Sequence, residues 1–288
     1  MATVREARAE QLYLRGNQLP QRWHGRTDFV VLDTGFELGH NLLATWAAWR
    51  ADPAAPSRLW YIALAERLPS AADWAQAHQH SRFASLAAEL NTQWPLQTPD
   101  FHSVDLDGGR VRLLLAFAGM AQALPELVAT VDAFYLDVPR PGRTPAAWDA
   151  HALRNLRRLA APAATLAAAA DDAPLREALT AAGFDCSSAP SHTNVGHDDL
   201  ASATVARFAP RHLAPPPPGR CATAGRSAVV VGAGLAGASA ARALARLGID
   251  TLVLDRHALP AQETSGNAGG LFHEIGRASC RERVSLNV

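Results

Sequence analysis

The sequence contains no lysine and few cysteines, and both absences limit what the chain can do. All 27 basic side chains are arginine, and 27 acidic side chains balance them to a formal net charge of zero. No overall field therefore attracts the chain to nucleic acid or to an anionic membrane. The three cysteines are widely spaced and form neither a disulfide framework nor a metal-ligand pattern, which is typical of a reducing cytosol.

Long apolar segments are also missing. No run approaches the roughly 18 apolar residues of a membrane span, and the first ten residues lack the apolar core of a signal peptide. We therefore expect a cytoplasmic protein that makes no contact with a membrane. With 288 residues, of which 48% are hydrophobic, the chain can form one large core and part of another.

The clearest motif is a glycine-rich turn between two apolar runs. Gly232, Gly234 and Gly237 follow the first run as G-x-G-x-x-G, a helical segment comes next, and a second run ends at Asp255. In such a βαβ unit the glycines allow a tight turn, close approach of a pyrophosphate and close packing of the helix, and the acid hydrogen-bonds a ribose hydroxyl. The motif predicts a dinucleotide site; the alternative is a βαβ turn with glycines for packing only.

This motif also divides the chain. Residues 1–212 are numerous enough for a whole domain, and the run of prolines within 213–226 predicts a stiff linker. The residues after Asp255 are too few to complete a doubly wound sheet. We therefore predict that 227–273 is only the beginning of a second domain.

The first domain alternates apolar runs with segments of helical spacing, which predicts an α/β sheet. Strands are predicted over Phe29–Leu32, Leu59–Leu64, Phe101–Leu106, Val111–Phe117, Val131–Asp137, Ala164–Ala170 and Thr204–Phe208. Helices are predicted over Leu42–Arg50, one or two within 70–93, Trp148–Leu159 and Pro174–Ala182. Turn residues at 107–109 predict a hairpin. Residues 1–28 are predicted to be a loop-like lead-in.

An acid at the end of one predicted strand marks a candidate ligand site. Asp137 follows an apolar run, and ligands of open α/β sheets bind at the carboxyl ends of the strands. The same residue could instead cap a helix or form a turn. A metal site among His192, His197, Asp198 and Asp199 is not expected, because their spacing fits no usual ligand pattern.

Several separate motifs make the chain resemble a known enzyme family. They are Gly16-Asn-Gln-Leu-Pro-Gln-Arg-Trp23, Asp33-Thr-Gly-Phe-x-x-Gly-x-Asn41-x-Leu-Ala-Thr, Val131–Asp137, Pro145-Ala-Ala-Trp148, Leu159–Thr165, Ala181–Phe184, Ala228–Gly237 and Glu263–His273. Over residues 10–273 the sequence resembles the bifunctional proteins of tRNA 5-methylaminomethyl-2-thiouridine biosynthesis, the MnmC family. In that family a methyltransferase part precedes a flavin oxidoreductase part.

The resemblance implies a fold, two cofactors and a substrate. The fold is a Rossmann-like S-adenosylmethionine methyltransferase sheet followed by the first βαβ unit of a FAD-binding Rossmann domain. The flavin part of the family removes the carboxymethyl group of 5-carboxymethylaminomethyl-2-thiouridine, and the methyltransferase part methylates the resulting amine. The implied partner is the wobble uridine of a tRNA anticodon, reached by a protein that we expect to be monomeric.

The resemblance also assigns site residues. The catalytic residue is Asp137, which would orient the target amine and take up its proton. The S-adenosylmethionine site is assigned to Asp33, Gly35, Gly39, Asn41 and, with a shift of one residue, Glu66. The FAD site is assigned to Gly232, Gly234, Gly237, Asp255, Ser265 and Asn267, with no metal. We expect this FAD site to be incomplete, because 274–288 resembles a translated sequencing adapter and is predicted to be artefactual.

One departure from the family pattern lies in the cofactor loop. The family has Gly-Phe-Gly-x-Gly where this chain has Gly35-Phe-Glu37-Leu-Gly39. A side chain at residue 37 obstructs backbone contact with a ligand, and the backbone there requires glycine if its φ is positive. The alternatives are therefore a catalytically impaired or non-catalytic remnant of the family, or a small-molecule amine methyltransferase fused to a redox domain.

Overall fold

The computed structural model describes residues 4–95, 98, 100–137, 150–170, 173–188, 203–211, 227–246, 248–267 and 284–285. The chain forms two compact units, Met1–Leu213 with Glu282–Val288, and Ala214–Arg281. The predicted linker, the His- and Asp-rich segment 191–202 and most of 274–288 lie outside the described residues. The boundaries proposed from the sequence stay predictions.

Twelve strands are present in the described parts of the chain. They are β1 (Asp28–Asp33), β2 (Arg58–Leu64), β3 (Asp100–Leu106), β4 (Val111–Phe117), β5 (Leu127–Val128), β6 (Val131–Leu136), β7 (Ala160–Ala168), β8 (Phe184–Ser188), β9 (Thr204–Phe208), β10 (Ser227–Val231), β11 (Asp250–Leu254) and β12 (Val284–Ser285). Eight of them form one sheet in the order β3-β4-β2-β1-β6-β7-β9-β8. The two-residue strands β5 and β12 pair separately.

The centre of the large sheet is parallel. β4, β2, β1, β6 and β7 pair in parallel, whereas β3 and β9 run antiparallel to their neighbours. After β1 the chain goes to β2 on one side, and it later returns to β6 on the other. The carboxyl ends of β1 and β6 therefore flank the topological switch point, where doubly wound sheets bind ligands.

Eight α-helices accompany the strands in the described residues. They are α1 (Val4–Arg8), α2 (His40–Ala51), α3 (Ala71–His78), α4 (Ala84–Asn91), α5 (Met120–Glu126), α6 (Ala150–Leu159), α7 (Ala173–Ala181) and α8 (Leu235–Arg246). A π-helical turn, Ala9–Leu14, continues α1, and short 3-10 turns lie at Gln21–Trp23, Asp107–Gly109 and Thr264–Gly266. No helix among the described residues is long and apolar enough to span a membrane.

The core follows from the apolar runs of the central strands. Every residue of β6 is buried, and so is every residue of β1 and β2 after the first. Parallel strands carry helices on both faces, so continuous apolar sequences, rather than alternating ones, are required there. The predicted α/β class is confirmed, and β3 and β4 form the predicted hairpin.

The prediction of a loop-like lead-in was wrong for residues 4–14, which are helical. Ala9, Leu12 and Tyr13 have the i, i+3, i+4 spacing of one helix face, and all three are buried. The Tyr13 ring stacks on Tyr135 of β6 with 5.1 Å between the ring centroids. The charged residues Arg5, Arg8 and Glu10 are partly or fully exposed, and Glu6 is buried among the apolar residues, so charges interrupt the apolar pattern of the segment. Strand β8 was also missed.

The second unit contains the predicted βαβ arrangement. β10 and β11 pair in parallel, and α8 connects them. After α8 the Gly248 N–H donates to the Ala245 carbonyl at 2.9 Å, and the Ile249 N–H donates to the Leu244 carbonyl at 3.1 Å. This pair of bonds is a Schellman motif, which ends the helix at the predicted glycine.

Candidate functional site

The loops that follow β1 and β6 are tied together at the switch point. The Thr34 N–H donates to the Tyr135 carbonyl at 3.0 Å, and the Asp137 N–H donates to the Thr34 hydroxyl oxygen at 3.0 Å. Two residues predicted for the site, Asp33 and Asp137, thus end neighbouring strands. The sheet topology brings together residues that are about a hundred positions apart in the sequence.

Asp33 organises the loop after β1 from within the core. Its carboxylate accepts hydrogen bonds from the Gly35 N–H at 3.0 Å, the Asn41 side-chain amide at 3.2 Å and the Tyr61 hydroxyl at 2.8 Å. The residue is fully buried. Burial raises the pKa of Asp33 to about 7, against the opposing effect of the three donors. Through these hydrogen bonds Asp33 fixes the conformation of the loop from the side that faces the core.

Two glycines of this loop have no room for a side chain. A Cβ added to Gly35 would lie 2.5 Å from the Asp137 Cβ and 2.7 Å from its Oδ2. Gly39 has φ +61°, and a Cβ there would lie 2.7 Å from the Trp74 ring. The loop backbone therefore packs directly against Asp137 on one side and against α3 on the other.

Glu37 occupies a strained position in the same loop. Its φ is +42°, which is unusual for a residue other than glycine. Its side chain is 62% exposed, and its carboxylate pairs with the Arg5 guanidinium at 3.3 Å. An ion pair this exposed adds little stability, and it offsets only part of the negative charge of Glu37 in the loop that the sequence predicts to bind the cofactor.

Asp137 is largely buried beside the N-terminal helix. The Arg8 guanidinium lies 3.0 Å from its Oδ1. Burial raises the pKa of Asp137; Arg8 and the Tyr13 hydroxyl lower it, and the charge of Glu37 raises it. The same environment raises the pKa of Tyr13, mainly because the phenol is buried.

Glu66 stands apart from this cluster. It follows β2, the strand beside β1, and it is exposed. Its Oε1 lies 3.1 Å from the point that a Cβ on Gly119 would occupy, so it faces the loop after β4. Glu66 lies at the carboxyl ends of the strands, as the other predicted residues do, but it takes no part in the hydrogen bonds around Asp33.

The structure adds residues that the sequence did not suggest. Tyr61 is one of the Asp33 donors, and Arg5 and Arg8 pair with Glu37 and Asp137. A weak signal was available for the arginines, because their i, i+3 spacing puts them on one face of a helix. Nothing local in the sequence connects Tyr61 to Asp33.

The second unit brings its predicted residues around one cavity of about 520 Å³. Gly232, Gly234, Asp255 and Ser265 line it. A Cβ on Gly237 would collide with the Gly232 carbonyl oxygen, so α8 packs against the turn as the motif requires. Asn267 is exposed, and its N–H donates to the Thr264 carbonyl at 3.4 Å.

Backbone N–H groups of this turn donate hydrogen bonds to side-chain oxygens. The Ala233 N–H donates to Asp255 Oδ2 at 2.6 Å, and the Leu235 N–H donates to Ser265 Oγ at 3.1 Å. The backbone bonds to Ala233 and His257 lower the pKa of Asp255. These amides are the donors that a helix N-terminus offers to a phosphate. In the described parts of the chain, no three acidic, histidine or cysteine side chains form a group that could hold a metal ion.

Comparison with protein families identifies both units. A family described as S-adenosyl-L-methionine-dependent methyltransferase matches residues 81–196. A family described as FAD dependent oxidoreductase matches residues 227–284, which continues past the boundary predicted at 273. The cofactors of these two families are those predicted from the sequence.

Two curated relatives are similar along most of the chain. The tRNA 5-methylaminomethyl-2-thiouridine biosynthesis bifunctional protein MnmC of Methylibium petroleiphilum is 47% identical over 268 residues, which are 92% of this chain and 40% of the relative. The protein of the same name from Thiobacillus denitrificans is 42% identical over 93% of this chain and 42% of the relative. The chain thus spans about two fifths of the length of these relatives.

A solved structure has a similar fold. The crystal structure of MNMC2 from Aquifex aeolicus superposes with a TM-score of 0.55 at 18% identity, covering 72% of this chain and 63% of that one. At this identity the similarity concerns the fold alone. The identity to the curated relatives and the two family matches show that the chain belongs to the MnmC family, of which it carries the methyltransferase part and the start of the FAD-dependent oxidoreductase part.

Proposed function

We propose that the first unit transfers a methyl group from S-adenosylmethionine to the amine of 5-aminomethyl-2-thiouridine at the wobble position of a tRNA. The observation that carries this proposal is the direct packing of the glycine loop after β1 against Asp137. A Cβ on Gly35 would lie 2.5 Å from that residue. A ligand on the loop backbone and a group bound to Asp137 would therefore be neighbours.

The residues present fit the cofactor. Asp33 and Asn41 hold the loop in shape through their hydrogen bond of 3.2 Å. Gly35 and Gly39 let the loop pack closely against Asp137 and Trp74, and Glu66 lies at the strand edge where an acid binds a ribose in related sheets. When bound, S-adenosylmethionine supplies an electrophilic methyl group.

Asp137 supplies the acid–base chemistry of the proposal. An alkyl amine has a pKa near that of lysine and is protonated at neutral pH, so it must lose a proton before it can act as a nucleophile. The carboxylate accepts a hydrogen bond from the amine, orients its lone pair and takes up the proton. Partial burial favours this role, because it raises the pKa of Asp137 toward the working pH.

A methyl-transfer assay tests this function. Labelled S-adenosylmethionine is supplied with tRNA that carries 5-aminomethyl-2-thiouridine, and Asp137→Asn is expected to lower the rate about 100-fold or more. Asp185→Asn is a matched control, because this exposed acid lies on β8, away from the switch point. Equal methylation of free amines without tRNA would favour a small-molecule methyltransferase instead.

Glu37 favours a second candidate, a remnant that does not bind the cofactor. Calorimetric titration with S-adenosylmethionine distinguishes an active methyltransferase from such a remnant. We expect Glu37→Gly to tighten binding, because it removes both the side chain and a carboxylate that would repel the carboxylate of the ligand. Glu89→Gln is the control, since its carboxylate pairs with Arg50 elsewhere. No binding by either the wild type or Glu37→Gly would support the remnant.

For the second unit we propose the nucleotide-binding start of an oxidoreductase that acts on 5-carboxymethylaminomethyl-2-thiouridine with FAD. The cavity of about 520 Å³ beside Asp255 supports the proposal. A bound pyrophosphate would replace Asp255 and Ser265 as the acceptor of the Ala233 and Leu235 amides, and Asp255 would then face the ribose. Titration of the purified chain with ADP tests whether the second unit binds a nucleotide. Asp255→Asn is expected to lower the affinity for ADP. Equal affinity in the variant would remove Asp255 from the site.

A further inference from the structure

The contact between Arg8 and Asp137 joins the N-terminal helix to the proposed catalytic carboxylate. The guanidinium Nη2 lies 3.0 Å from Oδ1, and neither side chain is fully exposed. The other oxygen, Oδ2, faces Gly35, since a Cβ built on that glycine would lie 2.7 Å from it. The carboxylate therefore has one oxygen held by a cation and one turned toward the cofactor loop.

Four charged or titratable groups among the described residues surround this carboxylate. Arg8 and Tyr13 approach from the N-terminal helix, and both favour its ionised form. Glu37 in the loop after β1 opposes ionisation, as does burial, and the buried Asp33 lies on the adjacent strand end. Arg8 is the only cation in this set, and together with the Tyr13 hydroxyl it opposes the effects of burial and of the nearby acids.

An arginine suits this position chemically. A proton acceptor must be ionised before the amine arrives, because a protonated carboxyl group has no capacity to take the proton. A guanidinium stays charged at all relevant pH values and gives up no proton of its own. It can therefore hold a carboxylate ionised without competing in the proton transfer.

We propose that Arg8 is a positioning residue for methyl transfer, which holds Asp137 ionised through Oδ1 and directs Oδ2 toward the loop at Gly35. This role rests on the function proposed above for the first unit. It assigns to the N-terminal helix a part in the reaction, beyond its packing on the sheet.

The first test measures the carboxyl group itself. The Asp137 resonance in the full chain labelled with ¹³C-aspartate is assigned by its loss in Asp137→Asn, and its pKa is followed by titration. We expect Arg8→Met to raise the pKa by about 1 to 3 units, because it removes an opposite charge in direct contact. Arg8→Lys should keep most of the effect of the charge. If Arg8→Met fails to fold, Arg8→Gln, which also removes the charge but keeps a polar side chain, is expected to raise the pKa of Asp137 in the same way.

Arg15→Met is the matched control. It removes the same charge from an exposed position at the end of the same helical segment, and the pKa of Asp137 should not move. An unchanged pKa of Asp137 in Arg8→Met, or an equal rise in the Arg15 variant, would overturn the proposal.

The second test follows the reaction. In Arg8→Met the acid limb of the pH profile of kcat should move upward by the same amount as the pKa, while the affinity for S-adenosylmethionine stays as in the wild type. Faster methylation by Arg8→Met would mean that Arg8 blocks the amine site, and it would overturn the proposal. If the wild type binds no cofactor, the proposed function fails, and the NMR titration still decides the role of Arg8.

Discussion

Replacing Asp33 with asparagine should change how the stability of the first unit depends on pH. Asp33 is fully buried, and its pKa is raised to about 7 from the ordinary value of 3.8, mainly because burial disfavours the charged form. Between these two pH values the folded chain binds a proton that the unfolded chain has released. The stability that this proton confers is complete below about pH 4 and is lost as the pH rises through 7.

The size of the effect follows from the shift. A difference of about 3 pKa units, at 1.36 kcal/mol per unit, corresponds to about 4 kcal/mol between pH 4 and pH 8. Asparagine has nearly the same shape and cannot ionise. It loses part of the hydrogen bonding to Gly35, Asn41 and Tyr61, so the variant should be less stable than the wild type at pH 4. That deficit should shrink as the pH rises and should reverse if the lost bonds are worth less than the burial of the charge.

Tryptophan fluorescence during urea unfolding provides the assay. All seven tryptophans lie within the first 148 residues, so the signal reports on the first unit alone. The buried acid Asp132 also has a raised pKa, and the difference between wild type and variant cancels its contribution. The charge of Asp137 raises the pKa of Asp33, so the difference reports the Asp33 proton together with this coupling. Parallel curves of unfolding free energy for the two proteins from pH 4 to pH 8 would refute the assignment of this proton to Asp33.

Two glycine substitutions and a test of flavin content complete the predictions. Gly35→Ala should destabilise the first unit by about 1 to 3 kcal/mol and abolish binding of S-adenosylmethionine, because its Cβ displaces Asp137. Gly119→Ala, whose Cβ would meet only the ends of the Gln122 and Glu66 side chains, should leave the free energy of unfolding unchanged; an equal loss of stability in both variants would contradict this. Gly237→Ala should eliminate ADP binding in a titration, since its Cβ collides with the turn, and retained affinity would show that the turn adapts. The purified chain should lack stoichiometric flavin by absorbance; a yellow protein with one flavin per chain would contradict the prediction of an incomplete site.

Much of the local structure could be predicted because its causes are local. The turn at Gly232 and the strands beside it follow from a motif whose glycines and acid act within one βαβ unit. The apolar runs of β1, β2 and β6 predicted strands, and the structure places these strands at the centre of the sheet, where both faces are covered. The N-terminal helix was missed because its apolar face is narrow and its exposed face is highly charged.

The arrangement of the site was decided by the tertiary structure. The sequence by itself determined that Asp33 and Asp137 end strands and that glycines follow the first of them. It did not determine that Asp33 is a buried acceptor for Tyr61, or that Arg8 reaches Asp137 from 129 positions away. These contacts depend on which strands become neighbours and on where the first helix packs. The order of strands in a sheet is set by the packing of the whole core, and no spacing within a single segment encodes it.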